Sequence, residues 1–130
     1  MSSFSIFQVA GSAMAAQSVR LNTVSSNLAN ADVVAARPED TYKARLPVFE
    51  AKVDGQGVNV REVVESADQP LKRYQPGHPL ADEQGYVYAP NVSVVEEMAN
   101  MISAARSYQS NLEAVNTAKS LMLNTLKMGS

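Results

Sequence analysis

The stretch SVVEEMANMISAARSYQSNLEAVNTAKSLMLNTLKMG, Ser93 to Gly129, decides the architecture. Pro90 blocks extension backwards, Ser93 offers an N-cap, and Glu96 three residues on completes a capping-box pattern. Two positions then recur every seven residues. One runs through Val94, Met101, Tyr108, Val115 and Met122, the other through Met98, Ala105, Leu112, Lys119 and Leu126. That is the spacing of a heptad seam. Lys127 suits the negative end of the helix dipole, and Gly129 can end the helix. The spacing predicts a helix of about 35 residues, roughly 50 Å long at 1.5 Å per residue. A compact domain of this size is only about 30 Å across, so such a helix must protrude from it.

The opposite end of the chain carries a matching pattern. Phe7, Ala10, Met14, Gln17, Leu21, Val24, Leu28 and Ala31 alternate in steps of three and four, with Gln17 the one polar interruption. This predicts a helix from about Ser5 to about Asn30. Between the two helices lie all six prolines and the pairs Pro-Gly and Gln-Gly, which are turn signals. Within that middle, YKARLPVFEAKV and GQGVNVREVVES alternate apolar and polar residues like edge strands or a hairpin. PLKRYQPGHPLADEQGYVYAPNV reads as an extended loop in which only YVYA has strand character. The expected fold is mainly α. Long N- and C-terminal helices pair as an antiparallel coiled coil, with a small irregular β-rich insert between them. The expected segments are an N-terminal axial helix at 1–31, the insert at 32–90 and a C-terminal axial helix at 91–130, the two helices forming one helical domain.

Charge separates these segments. Residues 1–31 hold one charged side chain, Arg20, whereas residues 32–90 hold seven basic and ten acidic ones. A helix with an apolar stripe and an outer face of Ser, Thr, Asn and Gln suits burial on several sides. Neutral polar groups can be satisfied by neighbouring backbone, while an unpaired charge cannot be buried cheaply. The insert is the segment poorest in core-forming periodicity. The neighbours that bury this helix are therefore expected from other chains.

The bulk numbers exclude several classes. With 130 residues there is room for about one modest domain. A formal charge of −2 gives no electrostatic reason to expect nucleic acid as a partner. There is no cysteine, so no disulfide framework or thiolate metal site can form. No uninterrupted apolar run approaches the roughly 20 residues of a membrane span, so no membrane insertion is expected. The first residues lack a basic segment before their apolar ones, so any export is expected to use a route without a cleaved signal.

Candidate chemistry is sparse. His78 is the only histidine, and Asp82 and Glu83 nearby make a hydrolase or metal reading conceivable. A metal site needs three or four converging ligands, so a loop-fixing role is favoured for His78. Gly55-Gln56-Gly57 lacks the third glycine and the following helix of a dinucleotide fingerprint, and reads as a turn. Lys72-Arg73 is an isolated basic pair, better explained as a solvated loop than as a phosphate patch. The methionines at seam spacing read as packing residues. No catalytic residue, metal site or cofactor is expected.

One resemblance adds to these readings. GYVYAPNVSVVEEMANMISAARSYQSNLEAVNTAKSLMLNTLKMG, Gly85 to Gly129, preceded by YQPGHPLADEQ, closely resembles the C-terminal half of bacterial flagellar proximal-rod proteins. SAMAAQSVRLNTVSSNLANAD resembles the amino-terminal helix shared by rod, hook and other flagellar axial proteins. The axial motif commonly continues Ala-Asn-x-x-Thr, whereas here Ala29-Asn30-Ala31-Asp32 is followed by Val33. The resemblance implies a non-enzymatic building block whose paired terminal helices form the inner layer of a helical tube. It also implies export through the flagellar type III apparatus, a place in the basal-body rod within the periplasm, and transmission of motor torque to hook and filament. Implied partners are copies of itself, the rod proteins FlgB, FlgF and FlgG, FliE and the MS ring. The residues expected to pack between subunits are Phe7, Met14, Leu21, Val24, Leu28 and Asn30 on the first helix. On the second they are Val94, Met98, Met101, Tyr108, Leu112, Val115, Met122 and Leu126. In a lone subunit much of this surface would be wet, so the terminal helices are expected to fray there. The rival reading is a coiled-coil adaptor or secretion chaperone, which would carry a charged solvent-facing helix surface that residues 1–31 lack.

Overall fold

The computed structural model describes residues 3–129. Helix α1 spans Ser3–Ala29 and helix α2 spans Val94–Met128. Between them come strands β1 (Arg45–Ala51), β2 (Val58–Glu65), β3 (Leu71–Tyr74) and β4 (Tyr86–Ala89), with a single 3-10 turn at Pro38–Asp40. α2 begins where its capping signal stands. The Ser93 side chain accepts from the Glu96 N–H, Glu96 and Glu97 occupy the first turn, and Lys127 lies in the last. Its 35 residues match the expected length.

The helices lie antiparallel. Arg20 Nη2 donates to Asn100 Oδ1 (3.0 Å), and Asn27 Nδ2 donates to Glu97 Oε2 (3.2 Å), so rising numbers on α1 meet falling numbers on α2. By that register Ser3 falls opposite residue ~120, at one residue per residue along two helices of equal rise. The last two turns of α2 therefore run on past the start of α1. Leu121, Leu123, Leu126 and Met128 are exposed there.

The seam read on α1 is the one used. Phe7, Met14, Gln17, Leu21 and Leu28 are half-buried, and Ala10, Val24 and Ala31 are buried. On α2 one of the two expected lines is displaced. Met101, Val115 and Met122 are half-buried, but Met98, Ala105, Leu112, Lys119 and Leu126 are exposed. The inward line lies one residue earlier, at Glu97, Ala104, Asn111 and Ala118. Small residues at the contact let two helices approach closely, because interaxial distance follows the side chains between them. Ala10 on α1 and Ala104 and Ala118 on α2 are the buried small residues along that line, and Met98, Leu112 and Leu126 of α2 are turned outward.

β1 and β2 form the expected hairpin, antiparallel from Arg45↔Glu65 to Ala51↔Val58, with a bulge at Val48/Phe49. β3 and β4 form a second antiparallel pair, from Leu71↔Ala89 to Tyr74↔Tyr86. β3 corrects the loop expected there. Its Lys72-Arg73-Tyr74 has little apolar alternation, yet it supplies one ladder for β4, whose Val87 and Ala89 are fully buried. On the other side of β4, Ala35 and Tyr88 exchange two backbone hydrogen bonds of 2.8 and 2.9 Å. The connection between β3 and β4 turns at Gly85, where φ is +87° and a Cβ would collide with Tyr74 and Pro76.

Candidate assembly surface

The charge-poor helix has neighbours in its own chain beyond the paired helix, since the β1–β2 hairpin of the insert packs on it where other chains were expected. α1 presents three stripes. The first is the apolar seam facing α2. The second, Ser12, Ala16, Val19, Thr23, Ser26 and Asn27, lies under the β1–β2 hairpin and the segment leading into it. Two side chains tie the hairpin down. Ser12 Oγ donates to the Val9 carbonyl (2.8 Å) and accepts from the Val58 N–H (3.1 Å). The backbone comes so close here that Gly57, with φ +117°, has no room for a Cβ beside the Ser12 hydroxyl.

The second tie is Asn27, 1% exposed, whose amide uses its whole hydrogen-bonding capacity. Oδ1 accepts from the Arg45 N–H (2.8 Å) and from the Tyr42 hydroxyl (2.7 Å). Nδ2 donates to the Arg45 carbonyl (2.9 Å) and to Glu97 Oε2 (3.2 Å). The side chain thus serves as a backbone neighbour for the first residue of β1 while reaching across to α2. Tyr42 spends its proton on Asn27, so in its 3.0 Å contact with Ser26 Oγ the serine donates. One amide joins α1, the hairpin and α2.

The third stripe of α1 is open. Phe4, Gln8, Gly11, Ala15, Ser18, Asn22, Ser25 and Ala29 are exposed at spacings of three and four; none is charged, and past Phe4, 73% exposed, none is large and apolar. Asn30 is half-buried and donates back to the Ser26 carbonyl (2.8 Å), and Val33 is exposed just beyond it. On α2 the open surface is the opposite in character. Val94, Val95, Met98, Ile102, Tyr108, Leu112 and Leu126 all face solvent, with Met98 54% and Ile102 57% exposed. Val94, Val95, Met98 and Ile102 stand on successive turns and form an apolar patch of the kind that marks an interaction surface, which Tyr108 and Leu112 extend toward the middle of the helix. Of the residues expected to pack between subunits, Val94, Met98, Tyr108, Leu112 and Leu126 are thus free to do so. Phe7, Met14, Leu21, Val24, Leu28, Met101, Val115 and Met122 are wholly or partly engaged between α1 and α2. Asn27, Ser12 and Thr23 were missed, because buried polar residues leave no apolar period to read.

His78 and Asp82 are occupied in holding their loop. His78 Nδ1 accepts from the Leu80 N–H (3.0 Å), and Asp82 Oδ1 accepts from the N–H groups of Gln84 and Tyr86 (both 2.9 Å). Lys72 stands over the Tyr86 ring at 4.3 Å. Among the described residues no cluster of His, Asp and Glu could hold a metal, and no helix is long and apolar enough to cross a membrane.

The geometry is that of two long antiparallel helices carrying a small β insert, with large apolar side chains open along the second helix. Residues 7–37 match the family described as flagella basal body rod protein, and residues 83–128 match the flagellar basal body rod FlgEFG protein C-terminal family. Relatives of nearly identical length extend the match over the whole chain. The flagellar basal-body rod protein FlgC of Salmonella typhimurium is 52% identical, with 99% of each chain covered. FlgC of Escherichia coli O157:H7 is 50% identical over the same shares, and FlgC of Aquifex aeolicus is 41% identical over 98% of this chain and 97% of its own. The chain belongs to the FlgC family of flagellar basal-body rod proteins. Its place is the rod of the flagellar basal body, and its relatives are structural proteins rather than enzymes.

Proposed function

We propose that the chain polymerises through its terminal helices into the proximal part of the rod, and that the assembled rod carries torque from motor to hook and filament. The observation that carries this reading is the exposed ridge of α2. Val95, Met98, Ile102, Leu112 and Leu126 are apolar and remain 41–78% exposed in the lone chain. Fully burying one such side chain is worth about 1.5–3 kcal/mol, so a ridge of five gives an ample drive for association. The antiparallel helix pair forms a coiled-coil-like inner layer and the β insert lies outside it. The neighbours are copies of this chain, the other rod proteins FlgB, FlgF and FlgG, and FliE with the MS ring at the base. Delivery is through the flagellar type III export apparatus.

Leu112→Asp tests the reading, because the side chain is 41% exposed and a carboxylate there can reach solvent in the lone subunit. The expected result is a soluble, helical protein made at normal level, in cells that do not swim and whose basal bodies lack it. Normal swimming and normal incorporation would remove the ridge from assembly.

A further inference from the structure

The insert leaves two sheet edges open, and the hydrogen bonds around them fix which residues face outward. In an antiparallel pair, opposed residues alternate between bonding each other and pointing their N–H and C=O groups away. The Ser66 N–H donates to the Ala44 carbonyl (2.7 Å), so the next pair, Arg45 and Glu65, point apart. Arg45 places its outward groups on Asn27. Glu65, and Val63 two residues before it, face the other way, and their outward groups have no hydrogen-bond partner among the described residues. The second sheet repeats the situation. Tyr86 and Tyr88 turn their outward groups to Asp82 and Ala35. Their partners across the ladder, Tyr74 and Lys72, therefore point away from β4 along a second open edge.

The two edges match in register, charge and shape. With Glu65 set opposite Lys72 of another copy, antiparallel pairing puts Val63 opposite Tyr74. An acidic residue then meets a basic one, and two exposed apolar side chains meet each other, Val63 at 46% and Tyr74 at 65% exposure. Neither Glu65 nor Lys72 makes an ion pair among the described residues. The ladder also stops at one place on both strands. Arg61, left without a partner by the β2 bulge, falls opposite Pro76, which has no N–H to give. Beneath Val63 lies an open cleft of about 290 Å³, lined by Val19, Asn22, Thr23 and Ser26 of α1 with Arg45 and Val63 of the hairpin. Directly opposed residues share a face of the sheet, so a tyrosine beside Val63 is carried to the mouth of this cleft. No α2 residue lines it.

We propose that β3 of one copy adds antiparallel to the open edge of β2 in a second copy, with Glu65 paired to Lys72, Val63 to Tyr74, and the Tyr74 ring seated against Asn22 and Ser26. The inference rests on the assembly reading above and adds to it a contact made by the insert. The two edges are different surfaces of one chain, so the contact is heterologous and propagates as a ring or helix instead of closing a two-fold dimer. A second β2 is a poorer occupant of the same edge. It would bring valine to valine, leave the cleft empty and need Arg61 in the ladder, from which the bulge removes it.

The chain has no cysteine, so introduced thiols report cleanly. In the proposed register Glu62 faces Gln75 as a pair that does not bond across the new ladder, with Cα atoms about 4.5 Å apart, within disulfide range. Both are exposed and neither makes the contacts proposed. Glu62→Cys and a size-tagged Gln75→Cys are expressed together in flagellated cells, and isolated basal bodies are mildly oxidised. The expected product is a mixed dimer of the two forms, absent when Glu62→Cys is replaced by Asn59→Cys, an exposed position about 10 Å along the same strand. Glu65→Lys and Lys72→Glu are each expected to shrink swarm diameter severalfold, and the double exchange to restore at least half of it. Both cysteine variants in the basal body without a mixed dimer, or Gln75→Cys joined to a different protein instead, overturns the strand addition and leaves the rod reading intact. Failure of the unsubstituted chain to fractionate with basal bodies overturns both.

Discussion

α1 and α2 lie side by side, yet they are covered on different numbers of sides. α1 is packed by α2 on one face and by the hairpin on another, and its remaining stripe is uncharged and, past Phe4, small or polar. α2 meets α1 along Glu97, Ala104, Asn111 and Ala118 flanked by half-buried Met101, Val115 and Met122, and turns Met98, Ile102, Leu112 and Leu126 to solvent. On α1 polar residues are inside because the hairpin backbone satisfies them. On α2 apolar residues are outside because nothing in the chain reaches them. Hydrophobicity alone therefore does not report which face of a helix is internal. A helix that stabilises its own subunit can carry serine and asparagine inward, while a helix that awaits a neighbour carries methionine and leucine outward.

This contrast gives an ordered set of stability effects, each measured by urea denaturation of the dilute chain. Asn27→Ala should be the most damaging. It removes four hydrogen bonds at a 1% exposed site and leaves the Glu97 carboxylate without its donor, a loss of about 3 kcal/mol. A loss under about 0.5 kcal/mol, the range of ordinary surface changes, would mean that the three elements are held together elsewhere. Gly57→Ala should follow at roughly 1–3 kcal/mol, since it strains a positive φ and pushes the tip off Ser12. An unchanged midpoint would show that the hairpin can lift away freely. Ser93→Ala removes the α2 cap and should cost about 1 kcal/mol. Met98→Ser should be smallest, within about 0.5 kcal/mol, while impairing motility. If it rivals Asn27→Ala in the isolated chain, the outer face of α2 is an internal surface and the contrast fails. Hydrogen exchange sharpens the same division. Amides beyond Ala118, where α2 has outrun α1, should exchange faster than those from Met101 to Val115.

The parts legible in the sequence were those with a periodic or capping signal. Phe7 to Ala31 could be read because apolar residues of one stripe met one partner, and α2 could be delimited because Ser93 and Gly129 sit at its ends. The inward line of α2 was off by one residue for a physical reason. A reading weighted by hydrophobicity follows Met98, Leu112 and Leu126, but close helix packing selected Ala104 and Ala118. β3 was hidden because Lys72 and Arg73 look like loop residues until β4 needs a partner. The Asn27 joint was illegible, since its partners stand at positions 42, 45 and 97 and no local pattern records them. The same displacement opens the outer face of α2: Met98, Leu112 and Leu126, expected to pack between subunits, are exposed and available to a neighbour.

The Asn27 joint also sets a clock. Its amide faces groups 18 and 70 residues further along the chain. A polypeptide that emerges amino end first can offer Tyr42 and Arg45 early, but the carboxylate of Glu97 arrives only when three quarters of the chain is out. Until then the first helix and the hairpin lack their last fastening, and closure waits on the late-coming second helix. Closure of this joint is thereby tied to the arrival of Glu97, so the subunit is fully fastened only when about three quarters of its chain is present.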